Sequence, residues 1–191
     1  SSKAGGGIKG RMFAWSAKQA RTFSVASEKT FGPGMFKKMR HGIADALVLK
    51  KIRSVLGPNL RYIVSGGAPL ATDLAHFYAG MGITLIQGYG LSETTGPISV
   101  QHIGKNPVGG VGLPLPGNFI KIAKDGEILV RGQSVMPGYY HLPEQTAEVM
   151  PDGKWFHTGD LGSIDRKGQL TITGRKKELI VTAGGKNVSP E

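Results

Sequence analysis

The sequence predicts an α/β chain: helices first, then a strand–helix–strand unit, then short antiparallel strands curling into a small β-barrel. Three patterns support this. Residues 8–56 carry apolar side chains at helical spacing, residues 60–86 place one helical stretch between two short apolar runs, and the sequence from Gly109 onward alternates in short segments cut by Gly, Pro and Asp. With 191 residues, 39% of them hydrophobic, the chain can bury a core sized for one large domain or two small ones.

Taken in order, Ser1-Ser2-Lys3-Ala4-Gly5-Gly6-Gly7 has no periodicity and reads as a loose end. Ile8, Met12, Trp15 and Ala20 mark a short helix over residues 8–23, and Phe31-Gly32-Pro33-Gly34 breaks the chain. A second helix is predicted over 43–56, with Ile43, Leu47, Ile52, Val55 and Leu56 facing inward and Gly57-Pro58 stopping it. Residues 60–64 then read as a strand, 71–79 as a helix closed by Gly80 and Gly82, and 83–86 as a second strand, parallel to the first through a right-handed crossover. In an open parallel sheet, ligands sit off the carboxyl ends of strands. That places Ser65-Gly66-Gly67-Ala68-Pro69 and Gly88-Tyr89-Gly90 as loops at one edge, around one pocket. Beyond Gly109, residues 118–123, 127–131, 156–164 and 169–173 read as antiparallel strands, with hairpin turns at Lys124-Asp125-Gly126 and Asp165-Arg166-Lys167-Gly168.

The composition removes several function classes. The absence of cysteine excludes disulfides, thiolate zinc sites and cysteine nucleophiles, and the five histidines, at 41, 76, 102, 141 and 157, fall at no ligand spacing. No apolar run approaches the roughly 18 residues that span a bilayer, and nothing at the start resembles a signal peptide, so a soluble cytoplasmic protein is expected. The net charge of +11 is confined to the first third: residues 1–61 hold 13 Lys and Arg against 2 Asp and Glu, whereas residues 62–191 hold 11 of each sign. Such a distribution suits solvated helix faces or a surface with an acidic partner; it also suits peripheral contact with anionic lipid headgroups or a polyanionic cofactor. No nucleic-acid reader motif accompanies it, so nucleic acid is not an expected partner.

The chemistry-bearing residues lie at the loops. Gly67-Ala68-Pro69 is by itself a turn, but its backbone admits a flat ligand, and Tyr89 offers an opposing aromatic face. Ser92-Glu93-Thr94-Thr95 surrounds one carboxylate with hydroxyls, which suits either Mg²⁺ carried on phosphates or a loop capping itself. Gly90-Leu91-Ser92-Glu93-Thr94 comes close to the nucleophile elbow of α/β-hydrolases but lacks its last glycine and the helix that should follow. Asp160, in Thr158-Gly159-Asp160, is a carboxylate able to accept from both ribose hydroxyls; Arg175, in Gly174-Arg175-Lys176-Lys177, is a fixed cationic fork able to bridge ribose and phosphate. Alone, these are a turn aspartate and a solvated basic cluster. There is no Walker sequence and no G-x-G-x-x-G, so a nucleotide site here is of another kind.

Four motifs in order, Ser65-Gly66-Gly67-Ala68-Pro69, Gly88-Tyr89-Gly90-Leu91-Ser92-Glu93, Trp155-Phe156-His157-Thr158-Gly159-Asp160 and Gly174-Arg175-Lys176-Lys177-Glu178-Leu179-Ile180, resemble the adenylate-forming superfamily of acyl-CoA synthetases, luciferases and adenylation domains. The run from Arg61 to Leu70 and the ending Lys186-Asn187-Val188-Ser189-Pro190-Glu191 look most like its bacterial long-chain fatty acid–CoA ligases. The resemblance implies a central fragment of such an enzyme: residues 1–108 as the helical and βαβ part of a large N-terminal domain, 109–174 as a distorted β-barrel, and 175–191 as the hinge and the start of a C-terminal domain. It implies ATP or AMP, Mg²⁺ and coenzyme A as cofactors, with a long-chain fatty acid and CoA as substrates. Gly67, Ala68, Pro69, Tyr89 and Gly90 would then flank adenine, Glu93 would hold Mg²⁺, Ser92 would take the place of the usual threonine at the α-phosphate, and Asp160 and Arg175 would bind ribose and phosphate. Lys177 matches the hinge, and Gly184-Gly185-Lys186 the loop of the CoA step.

No Ser/Thr/Gly-rich loop ending in lysine precedes Ser65, and the sequence stops soon after Arg175. The resemblance therefore implies that these 191 residues lack the family's phosphate loop and C-terminal catalytic lysine, and cannot form an acyl-adenylate by themselves. Two other readings stay open: an adenylation domain that loads a carrier protein, and a non-catalytic nucleotide-binding or scaffold piece.

Overall fold

The structure is a computed structural model that describes residues 7–68, 70–103 and 108–178, together with the backbone of 180–181 and 187–188. It divides into two compact units: Ser1–Ser65, Pro69–Ile86 and Ile103–Gly109 in the first, and Gly66–Ala68, Gln87–His102 and Gly110–Glu191 in the second.

In the first unit, α1 (Ile8–Ser27) buries Ser16, Ala17, Ala20 and Ser24, a stripe of small side chains at helical spacing. Small residues let α4 (Thr72–Gly80) approach closely: a Cβ on Gly80 would lie 2.0 Å from the carbonyl oxygen of Ala20. A buried bond of 3.0 Å between Ser24 Oγ and His76 Nδ1 ties the same two helices. Gly82, at φ +78°, turns the chain out of α4.

The second predicted helix differs in extent and facing. It starts earlier, running as α2 (Met35–Ala44), a wide π-helical turn (Asp45–Leu49) and α3 (Lys50–Leu56), and stops at Gly57 with φ +100°. The residues expected inward are largely outward: Ile43, Leu47, Val55 and Leu56 are exposed. The extra residue per turn in the π segment moves the buried line to Ala44 and Leu49, five apart, and both are fully buried. A period of 3.6 applied to the sequence cannot register that shift. Ala20, Ala44, Leu49, Met81 and Ile83 form the core, with Ile52 and Phe77 packed against it.

Strand β1 (Tyr62–Ser65) lies beside β2 (Thr84–Leu91), whose first residues belong to this unit. Strand β2 corrects a second expectation. Gly88, Tyr89 and Gly90, predicted as a loop after the strand, are inside it; in the second unit they pair antiparallel with β3 (Gly96–Val100), with a bulge between Tyr89 and Gly90. The two glycines look like a turn signal, but Gly90 is required by close approach, since a Cβ there would lie 2.0 Å from the carbonyl oxygen of Gly96. Ser92–Thr94 forms a single 3₁₀ turn joining β2 to β3, and Thr95 adopts φ +55° to reverse the chain.

Strand β4 (Leu113–Pro114) pairs antiparallel with β3. The predicted antiparallel strands form a four-stranded meander of β5 (Asn118–Ile122), β6 (Glu127–Gly132), β7 (Phe156–Ile164) and β8 (Leu170–Arg175). Ile128, Val130, Phe156 and Leu170 make its core together with Tyr89, Ile98 and Val111. A helix absent from the sequence reading, α5 (Pro143–Val149), interrupts the meander between β6 and β7; its signal was proline at the first helical position followed by Glu144. After β8, Lys176–Glu178 makes a 3₁₀ turn, and β9 (Ile180–Val181) pairs antiparallel with β10 (Asn187–Val188).

Candidate functional site

In strand β7 the alternation of faces turns Phe156, Thr158 and Asp160 toward the core of the second unit. Phe156 belongs there on hydrophobic grounds, whereas a buried carboxylate must be compensated. Asp160, 6% exposed, accepts from the Tyr89 hydroxyl through Oδ2 at 2.7 Å and from Arg175 Nε through Oδ1 at 2.9 Å. Arg175 is its register partner on β8. The Thr158 hydroxyl fixes the segment from below, donating to the Ile128 carbonyl at 2.8 Å and lying 3.1 Å from the Asp160 amide. Gly159, at φ +73°, supplies a backbone state that other residues hold only under strain. Burial pushes the Tyr89 phenol well above its ordinary value, and the Asp160 carboxylate pushes it further, so Tyr89 stays a proton donor. A carboxylate offers about four lone-pair positions. With one donor on each oxygen, Asp160 retains acceptor capacity for a polyhydroxyl ligand.

Tyr89 is 7% exposed and belongs to the hydrophobic core. Gly66, Gly67 and Ala68 are exposed nearby; a Cβ on Gly66 would stand 3.4 Å from the Gly88 carbonyl, while one on Gly67 would meet nothing within 4 Å. The loop thus presents bare backbone beside β2. Pro69 lies outside the described residues.

Ser92 is exposed and Glu93 half-buried on the 3₁₀ turn, which Thr94 holds. Thr94 is fully buried; its hydroxyl accepts from the Leu91 amide at 2.8 Å and lies 2.8 Å from the Gly96 carbonyl, so this threonine closes the turn on itself. Glu93 accepts through its backbone carbonyl from Met136 N–H at 2.8 Å and through Oε1 from the Tyr139 hydroxyl at 2.9 Å. Tyr139 was not anticipated: Pro137-Gly138-Tyr139-Tyr140 reads as a bare turn, and only the fold brings it to Glu93. Thr146 of α5 in turn accepts the Tyr139 amide at 2.9 Å. Burial raises the Tyr139 phenol, as does the Glu93 carboxylate. Among the described residues no group of three His, Asp or Glu side chains is placed to hold a metal ion, so Glu93 is a single-carboxylate donor that fits Mg²⁺ only when other oxygens, such as phosphates, complete the shell.

Of the remaining predicted positions, Lys177 is exposed on the 3₁₀ turn after β8, and Gly184, Gly185 and Lys186 lie outside the described residues. The structure thus brings Tyr89, Asp160 and Arg175 together in one cluster, and Gly66 beside Gly88.

A family model described as AMP-binding enzyme matches residues 20–140, more than half of the chain. The chain belongs to the AMP-binding enzyme family. Within this family it is 52% identical, over 182 residues, to the long-chain-fatty-acid–CoA ligase FadD15 of Mycobacterium tuberculosis, covering 95% of this chain and 30% of that protein. It is 40% identical over 164 residues to the long-chain-fatty-acid–CoA ligase heimdall of Drosophila melanogaster, covering 83% and 24%. The chain therefore spans about 30% or less of the length of these relatives. Among solved structures it is similar to the o-succinylbenzoate–CoA synthetase MenE of Bacillus subtilis in complex with ATP and magnesium ion, with a TM-score of 0.61 and 30% identity over 74% of this chain and 33% of that one. ATP-bound MatB of Rhodopseudomonas palustris gives a TM-score of 0.61 and 33% identity, over 73% and 31%.

Proposed function

We propose that this chain is the nucleotide-facing part of a long-chain fatty acid–CoA ligase that works through an acyl-adenylate. The observation that carries the reading is the Tyr89–Asp160–Arg175 cluster, set in a chain 52% identical to a ligase of that kind. In the first half-reaction a fatty carboxylate oxygen attacks the α-phosphorus of ATP and the bond to the β-phosphate breaks, releasing pyrophosphate. In the second the CoA thiol attacks the acyl carbonyl and AMP leaves. Asp160 accepts from the ribose hydroxyls, while the exposed end of the Arg175 fork points charge toward ribose or phosphate. Gly67, Ala68 and Pro69 present backbone to adenine from one side, with Tyr89 and Gly90 on the other. Ser92 faces the α-phosphate, and Glu93 supplies the one protein carboxylate for Mg²⁺, an ion that neutralises phosphate charge when bound. Lys177 marks the hinge between half-reactions, at the border of a division into residues 1–108, 109–174 and 175–191, and Gly184, Gly185 and Lys186 serve the CoA step. We further propose that the basic first unit makes peripheral contact with anionic membrane, which suits a substrate that partitions into lipid.

The test is product analysis on the complete enzyme that carries this segment, supplied with ATP and a long-chain fatty acid, and with either CoA or a carrier protein as acceptor. Acyl-CoA is the expected product, and exclusive loading of the carrier would replace this reading with an adenylation domain. In the same enzyme Asp160→Ala removes two charge-assisted hydrogen bonds to ribose and is expected to weaken ATP binding by roughly 2–3 kcal/mol, on the order of a hundredfold. Unchanged affinity would remove Asp160 from the ribose.

A further inference from the structure

Glu127 lies at the start of β6 and is 4% exposed, so its charge must be met by protein groups. Three donors in the second unit are arranged on it and on its neighbour Asp125. The Gly159 amide donates to Oε1 at 3.0 Å; Lys176 Nζ and His157 Nδ1 each donate to Oε2 at 3.1 Å. Lys176 Nζ also donates to Asp125 Oδ2 at 2.7 Å, which pins the lysine from the hairpin side. The placement of these donors gives the network its meaning. Gly159 immediately precedes Asp160 on β7, and Lys176 immediately follows Arg175 after β8; Asp160 and Arg175 are themselves the paired residues of those strands. One buried carboxylate therefore grips both chain neighbours of the Asp160–Arg175 pair. Burial opposes the charge on Glu127, but the bonds from Lys176, His157 and Gly159 outweigh it and leave the carboxyl below the usual carboxylate range.

We infer that Glu127 is a positioning residue for nucleotide recognition: by holding Gly159 and Lys176 it sets the separation and angle at which Asp160 and Arg175 meet the ribose. The inference deepens the proposed function and rests on Asp160 being the ribose carboxylate. Gly159 needs such an anchor, because its left-handed backbone is a state that the β7 ladder alone does not enforce. Lys176 is half exposed, yet its two carboxylate partners restrain the chain directly beyond Arg175. A conservative change at either end of the clasp should leave the fold in place and loosen the pair.

The experiment measures binding of AMP and of 2′,3′-dideoxy-AMP to the complete enzyme by calorimetry, for wild type, Glu127→Gln, Lys176→Met and Lys176→Arg. Wild type should prefer AMP by about tenfold or more, the size of one or two charge-assisted hydrogen bonds. Glu127→Gln and Lys176→Met should each lose about fivefold in AMP affinity while binding the dideoxy nucleotide within about twofold of wild type, and Lys176→Arg should retain the preference. If Glu127→Gln is poorly folded, Lys176→Met carries the test, because that side chain lies at the surface. An equal loss for both nucleotides would make the clasp merely structural, and no loss for either would remove its role; both outcomes overturn the inference and leave the proposed function standing. A wild-type enzyme indifferent to the ribose hydroxyls would overturn the role of Asp160, and this inference with it.

Discussion

Gly90 shows how much of a motif's meaning resides in its cross-strand partner. Its neighbour across the bulge is the Gly96–Pro97 segment, and a Cβ would stand 2.0 Å from the Gly96 carbonyl oxygen and 2.8 Å from Pro97 Cα, both backbone atoms that cannot turn aside. Gly90→Ala is therefore expected to lower stability by about 2–4 kcal/mol, the range for overpacking a fixed backbone, as measured by denaturant titration of the chain. A change within about 0.5 kcal/mol would mean that β2 and β3 separate easily, and would weaken the placement of Tyr89 on Asp160. At this scale the sequence made Asp160, Arg175, Tyr89 and Glu93 conspicuous through residue type and spacing, and three of them meet in one cluster. Their supports were not legible. Tyr139, Glu127 and Lys176 sit 32 to 51 residues from the groups they hold, Thr146 lies 7 residues from the Tyr139 amide it accepts, and nothing local distinguishes them from ordinary turn and surface residues. Thr94 is the reverse case: it stands inside the conspicuous motif, yet its hydroxyl is spent on closing the turn.

Elements were legible where one physical signal decided them. Glycine-containing turns close the hairpins β5–β6 and β7–β8, so the expected bounds of the meander strands fall within a residue or two of those observed. The helix from Met35 to Leu56 was half legible, because its first turns carry lysines and an exposed apolar stripe and its middle departs from the 3.6 period. That departure has a specific support. Asp45, at the start of the π turn, is held by Arg53 through two bonds of 2.5 and 3.0 Å, and Arg53 also donates to the Met81 carbonyl at 2.6 Å. The hydrogen bond from Arg53 outweighs partial burial and lowers the Asp45 carboxyl below its ordinary 3.8. A folded-state value below the unfolded one adds stability that is complete above the unfolded value and is lost as pH falls through the folded one. Asp45→Asn should accordingly be less stable than wild type at about pH 6, with the difference shrinking toward zero as the pH is lowered below about 3.8. Thermal unfolding followed by circular dichroism across that window checks it; a difference that persists unchanged in acid would assign the effect to shape and not to charge.

At the scale of the whole molecule, charge and exposed apolar surface fall in the same segment. Residues 1–61 carry the entire net charge of +11, and there Met35, Phe36, Met39 and Ile43 stand exposed at 88%, 65%, 55% and 47% on one side of α2, with Lys38 and Arg40 flanking the stripe. Among the described residues no helix is long and apolar enough to cross a membrane, so contact with lipid through this segment would be lateral. A basic amphipathic helix binds an anionic surface by two additive terms: roughly 1 kcal/mol per lysine or arginine near the headgroups, screened by salt, and the burial of apolar side chains at the acyl boundary. The two terms separate experimentally. In co-sedimentation with vesicles, the chain is expected to bind mixtures containing phosphatidylglycerol and not pure phosphatidylcholine, with binding falling as salt is raised. Met39→Glu and Phe36→Glu should each weaken it further at fixed salt, because each deletes apolar burial and adds a repelled charge. Binding that ignored anionic lipid would remove the membrane from the proposed partners. Binding that responded to salt but not to either substitution would reduce the contact to electrostatics alone and return the apolar stripe of α2 to the interior of the longer enzyme.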